Sequence, residues 1–194
     1  KLEGVVFQEG LGTMSDKVAR LVRLAPQLAE VLGEAAHARS VERTALLCKA
    51  DLATQMVYEF PELQGTMGEK YALLSGESPQ VARGIAEHYK PRFAGDSLPE
   101  SVEGKLVGLA DKIDTLVGYF ALGKIPTGSQ DPFALRRQAQ GVVQILLANQ
   151  YDLSLRKLVD LAAEGYSEVS LPAEYHAELV DFLLARLRVY LLDQ

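Results

Sequence analysis

Asp111 and Asp114 stand three residues apart in Leu109-Ala110-Asp111-Lys112-Ile113-Asp114-Thr115-Leu116, a spacing that puts both carboxylates on one face of a helix. The stretch is otherwise largely apolar, and a carboxylate drawn into such surroundings needs a cation or hydrogen-bond donors. Two arrangements meet that need. Both acids can lie at a solvated edge, paired with Lys105 or Lys112, or Asp111 can point into a polar pocket. Asp51 follows the apolar run Ala45-Leu46-Leu47-Cys48, and His88 closes Glu87-His88-Tyr89. Together with Asp111 they offer two carboxylates and an imidazole from three successive helical stretches, a donor set that divalent metals accept. A histidine at a helix end also serves simply to offset the helix dipole.

Other chemistries lack their residues. There is no Gly-x-Ser-x-Gly, no Gly-x-x-x-x-Gly-Lys-Ser/Thr and no paired-cysteine zinc spacing. Cys48 is the single cysteine, so no intrachain disulfide forms, which fits a reducing compartment such as the cytoplasm. With 20 Lys and Arg against 26 Asp and Glu, the net charge is -6. Whole-surface binding of nucleic acid is disfavoured, and contact with a polynucleotide would have to use a local patch. Lys112, Lys124, Arg136 and Arg137 are the best candidates for one. Asp131-Pro132 just before the arginines has a plain structural use as a helix start. No apolar run approaches the ~20 residues of a membrane helix.

These residues need helices to position them. Apolar side chains recur at helical spacing through Val18, Leu21, Val22, Ala25, Leu28 and Leu32, with Ser15 or Asp16 as cap, a kink or break expected at Pro26 and an end at Gly33. Ser40 is expected to cap a second helix reaching Met56. Ser78-Pro79 starts another, and a loop spans residues 90–103. A long apolar helix follows from about Lys105 to Gly118 or Phe120. Asp131-Pro132 opens the next, to about Gln150; Ser154 caps one more, and Pro172 precedes the last. Val5-Val6-Phe7 reads as an extended lead-in rather than a sheet. The class is all-α, with seven to nine helices.

Several blocks, in this order, resemble one family. They are the opening Leu2 to Gln8 with Leu11-Gly12-Thr13 and Asp16-Lys17, then Lys49 to Thr54, then Phe60-Pro61-Glu62-Leu63-Gln64-Gly65-Thr66-Met67-Gly68, Glu87-His88-Tyr89, Leu109 to Gly118, and Pro126-Thr127-Gly128-Ser129 through Arg137. All are similar to the β subunit of bacterial heterotetrameric glycyl-tRNA synthetase, and Phe182 to Gln194 fits it too. The resemblance implies an internal fragment of a longer chain, with residues 1–125 an HD-superfamily-like helical domain and 126–194 a helical extension packed on it.

In HD-type phosphohydrolases, histidines and aspartates hold a catalytic metal. By resemblance, Met14 or Ser15 stands where the first histidine would be, Ala50-Asp51 replaces the His-Asp doublet, His88-Tyr89 keeps half of a later histidine pair, and Asp111 closes the motif. Asp51, His88 and Asp111 are then vestiges of a metal site, because neither Met nor Ala supplies the missing nitrogen donors. The family implies attachment of glycine to tRNA(Gly) using ATP with magnesium, with adenylate chemistry on the α subunit. The partners expected are that α subunit, the remaining β-subunit domains and tRNA(Gly), with no membrane. For this stretch alone it implies no catalytic residue, no bound metal and no cofactor, and a supporting role with tRNA contact at the basic patch. Two rivals stand beside it: a working metal-dependent nucleotide phosphohydrolase using Asp51, His88 and Asp111, and a purely structural subunit-docking module.

Overall fold

The computed structural model describes residues 1–167 and 169–192; the final two positions of the Phe182 to Gln194 resemblance lie outside them. The described residues form nine α-helices: α1 (Met14–Val31), α2 (Ala38–Leu47), α3 (Gln55–Glu59), α4 (Thr66–Leu74), α5 (Pro79–Glu87), α6 (Val102–Ala121), α7 (Leu135–Ala148), α8 (Leu155–Ala163) and α9 (Tyr175–Leu192). The all-α expectation holds, with one correction. Val6–Gln8 (β1) pairs antiparallel with Gly12–Thr13 (β2) around a turn at Gly10, so the lead-in is a small hairpin.

α6 is the axis of the fold. Sixteen of its 20 residues are buried, so it is hydrophobic all round, as a central helix must be. α1, α2, α5, α7, α8 and α9 all pack against it. One continuous core runs from Leu21, Leu24 and Leu28 of α1 through Leu106, Leu109, Ile113 and Leu116 of α6 to Leu135, Leu158, Leu179 and Leu183.

α1 runs past Pro26 without a break. A mid-helix proline costs about 3 kcal/mol. Leu21, Leu24 and Leu28 are fully buried on both sides of it, and each such leucine contributes roughly 1.5–3 kcal/mol. The cap is Thr13 rather than Ser15 or Asp16: its hydroxyl accepts from Asp16 N at 3.2 Å, and the Asp16 carboxylate accepts from Thr13 N at 2.7 Å.

Similar local competition resets other boundaries. Ser40 lies inside α2 and donates instead to His37 O and Glu103. The helix expected to reach Met56 stops at Leu47, because Thr54 donates to Asp51 O at 2.6 Å and caps a separate α3. α7 begins at Leu135 rather than at Asp131. The Asp131 carboxylate caps it from a distance, accepting from Leu135 N at 2.8 Å and Arg136 N at 2.9 Å. Ser78, Ser101 and Ser154 cap α5, α6 and α8.

Gly108 lets the end of α5 approach α6: a Cβ there would stand 2.9 Å from the backbone oxygen of His88. Helix propensity alone favours Ala over Gly by about 1 kcal/mol, whereas crowding a packed contact costs about 1–3 kcal/mol. Gly108→Ala is therefore expected to lower stability in urea unfolding, the reverse of what propensity would give.

Candidate functional site

Asp111 and Asp114 do not lie at a solvated edge. Asp114 is 1% exposed, and neither acid pairs with Lys105 or Lys112. Their partners come from elsewhere in the fold. From α1, Lys17 places Nζ 2.9 Å from Asp114 Oδ2, 2.9 Å from Thr115 Oγ1 and 3.3 Å from Asp111 O. The same ammonium makes a 3.0 Å ionic contact with Asp111 Oδ1, an oxygen with no aligned hydrogen-bond donor among the described residues. Arg20, one helical turn on, donates from Nε to Asp114 Oδ1 at 2.7 Å. Lys49, just beyond α2, donates to Asp111 Oδ2 at 2.8 Å.

His88 completes the cluster. It is fully buried, and its Nδ1 lies 2.6 Å from the carbonyl of Ile85, to which it can only donate. That fixes the neutral tautomer and leaves Nε2 as acceptor for Lys49 Nζ at 2.9 Å. His88 and Asp111 thus meet through an ammonium, with 3.9 Å between Nε2 and Oδ2. Burial alone would raise the Asp111 pKa, but Lys17 and Lys49 outweigh it and hold the carboxyl well below the usual range. Burial and the Lys49 charge both push His88 well below the ordinary histidine value.

Asp51 serves a different structure. Its Oδ2 accepts from the backbone N–H of Gly65 at 2.7 Å and of Gly68 at 3.1 Å. It thereby caps α4, whose own N-cap residue, Gly65, has no side chain to do so. A Cβ on Gly68 would stand 3.1 Å from that carboxylate oxygen. The Gln64-Gly65-Thr66-Met67-Gly68 segment is therefore the seat of a buried carboxylate.

The three residues expected to share a site are split, with His88 and Asp111 together and Asp51 turned to α4. Among the described residues no three His, Cys, Asp or Glu side chains gather closely enough to hold one ion. The donor set does not fit a catalytic metal, and an ammonium occupies the space between its two remaining members.

The basic patch divides as well. Lys112 is buried at 3% exposure and donates to His88 O at 3.2 Å, which corrects its place on a surface patch. Burial brings its pKa down to about 8. Arg136, in the first turn of α7, donates to Gly128 O at 2.7 Å, and Lys124 lies 5.5 Å from the Phe133 ring centroid, so both lie against the 124–133 loop. Arg137 is exposed and faces a different cleft, beside Lys17 and Lys49.

Sequence reasoning missed Lys17, Arg20 and Lys49. One signal was available. Lys17 precedes Leu21, Leu24 and Leu28 at helical spacing, a cation on the apolar stripe of α1 and buried with it.

Comparison with known proteins gives this arrangement its family. The family model described as "Glycyl-tRNA synthetase beta subunit" matches residues 1–194. The glycine–tRNA ligase beta subunit of Desulforamulus reducens is 52% identical over all of this chain and 28% of its own length. That of Synechocystis sp. is 50% identical over all of this chain and 27% of its own, and that of Halalkalibacterium halodurans is 49% identical over all of this chain and 29% of its own. These are ligase subunits of the aminoacyl-tRNA synthetase class. The chain belongs to the glycyl-tRNA synthetase beta subunit family and spans a little over a quarter of the length of these relatives. No helix among the described residues is long and apolar enough to cross a membrane.

The His88 geometry sets a pH dependence. The unfolded chain protonates this imidazole near the ordinary value of 6.5, whereas the folded chain resists protonation until well below it. As pH falls through 6.5 the unfolded state takes up a proton that the folded state refuses. Stability therefore drops, by up to about 1.4 kcal/mol per pH unit for this one group. In urea melts between pH 7 and pH 5, His88→Gln is expected to be less stable at pH 7 and to show a shallower acid slope.

Proposed function

We propose that this chain is an HD-like, non-hydrolytic domain of a glycine–tRNA ligase β subunit. It supports the attachment of glycine to tRNA(Gly) by building the assembly and touching the tRNA. The observation that carries this reading is the pair of lysines on Asp111. A lysine ammonium supplies charge at a fixed point but cannot bind and acidify a water, which is what a hydrolytic metal contributes. Residues 1–125 form the HD-like part in this reading, with Asp51, His88 and Asp111 as vestigial metal-site positions. Residues 126–194 are the extension. Adenylate formation with ATP and magnesium belongs to the α subunit, the remaining β-subunit domains are the other protein partners, and the setting is the cytoplasm.

The tRNA contact is assigned to Lys124 on the 124–133 loop, to Arg136 in the first turn of α7 against that loop, and to Arg137 at the neighbouring cleft, with Lys112 withdrawn by its burial. A few cations on an acidic chain suit backbone contact, which positions a tRNA without reading its sequence. The rival phosphohydrolase would need Asp51 to leave the α4 cap and Lys49 to leave Asp111, each breaking a buried charged interaction.

In the assembled α and β enzyme, Lys124→Glu with Arg136→Glu is expected to raise KM for tRNA(Gly) by about tenfold with kcat little changed. Steady-state aminoacylation at fixed salt checks this. Unchanged KM would remove the tRNA contact. Loss of α from β in gel filtration would favour the docking module instead.

A further inference from the structure

Beside the Asp111 network lies an open cleft of about 410 Å³, lined by Lys17, Lys49, Arg92, Asp111 and Arg137 with Tyr89 on its wall. That volume is within the range of small-ligand sites. Four cations face one carboxylate there. Asp114, behind the wall, is balanced by Arg20 and does not alter the surplus. A local charge of about +3 on a chain of net charge -6 is a concentrated attraction for anions.

The hydrogen-bond inventory indicates which cations are available. The three N–H bonds of Lys17 are taken by Asp114, Thr115 and the Asp111 carbonyl, so it contributes only field. Lys49 uses two, on Asp111 and His88, and keeps one. Arg92 donates from Nη2 to Gln64 O at 2.9 Å and stacks 5.4 Å from the Tyr89 ring centroid, which leaves most of its fork unused. Among the described residues neither the Arg92 nor the Arg137 guanidinium is in an ion pair, although the Arg92 backbone N–H donates to Asp96 at 2.7 Å, whereas Lys17, Arg20 and Lys49 all pair with acids.

We propose that this cleft binds a phosphate group, seated on the Arg92 and Arg137 guanidinium groups and the spare N–H of Lys49. Two guanidinium forks match phosphate oxygens in pairs. A phosphate carries enough charge to bind despite Asp111. The phosphate can belong to a free nucleotide or to one link of an RNA backbone. This deepens the proposed tRNA contact at Arg137 and rests on that reading only where the phosphate is RNA's; the contact at Lys124 and Arg136, read through KM, can fail separately.

The test is isothermal titration of the chain at low salt with inorganic phosphate, AMP and a five-nucleotide single-stranded RNA. Saturable binding at one site per chain is expected, weakened about tenfold or more by Arg137→Ala and by Arg92→Ala. Arg156→Ala removes the same charge from an exposed position on α8, outside the cleft, and is expected to leave binding unchanged. Tighter binding of the RNA than of AMP assigns the site to backbone phosphate, and equal or tighter binding of AMP assigns it to a nucleotide. The proposal is overturned if none of the three probes saturates, or if Arg156→Ala weakens binding as much as Arg137→Ala. Because Arg137 is exposed, its variant keeps the test valid even if Arg92→Ala perturbs the fold.

Discussion

Two carboxylates on the central helix, Asp114 buried and Asp111 at the wall of a cleft, govern the rest of this molecule. Asp111 and Asp114 sit on a helix that is otherwise almost wholly core, and neither can be left unpaired there. Taking away one member of a buried ion pair costs about 3–5 kcal/mol. The chain meets the need with Lys17 and Arg20 from α1 and Lys49 from beyond α2, while His88 at the end of α5 accepts from Lys49. The same contacts therefore neutralise the acids and fix the positions of three helices against α6. Gly108 allows the α5 end to come close enough for His88 to take part.

The identity of the neutralising groups decides what the site can do. Each lysine is a single positive charge tethered to the fold, with its N–H bonds mostly committed. It offers no open coordination position and no means of acidifying water. It does leave an electropositive cleft, because the cations exceed the acids once Arg92 and Arg137 are included. A place suited to metal chemistry by its acids alone is thus suited, by its lysines, to holding an anion.

Much of the fold was legible in the sequence because it rests on local signals. Ser78-Pro79 and Ser154 mark helix starts through side-chain and backbone chemistry confined to a few residues, and the apolar run around Asp111 announces a buried helix. What escaped was long-range. The pairing of Lys17 with Asp114 spans 97 residues and that of Lys49 with Asp111 spans 62, and no periodicity encodes which lysine meets which acid. Asp51 misled for a related reason: its partners are backbone N–H groups of Gly65 and Gly68, which no residue type advertises. Lys112 looked like a surface cation but packs against α7 at Gly141. The family resemblance was readable from ordered blocks of residues; the neutralisation of its acids by lysine was not.

The most direct measurement is the metal content and thermal midpoint of the purified chain across a manganese titration. Neutralisation of Asp111 by Lys17 and Lys49 predicts no stoichiometric uptake and an unchanged midpoint, in the wild-type chain and in Asp111→Ala alike. One manganese per chain, raising the midpoint and lost in Asp111→Ala, would contradict it.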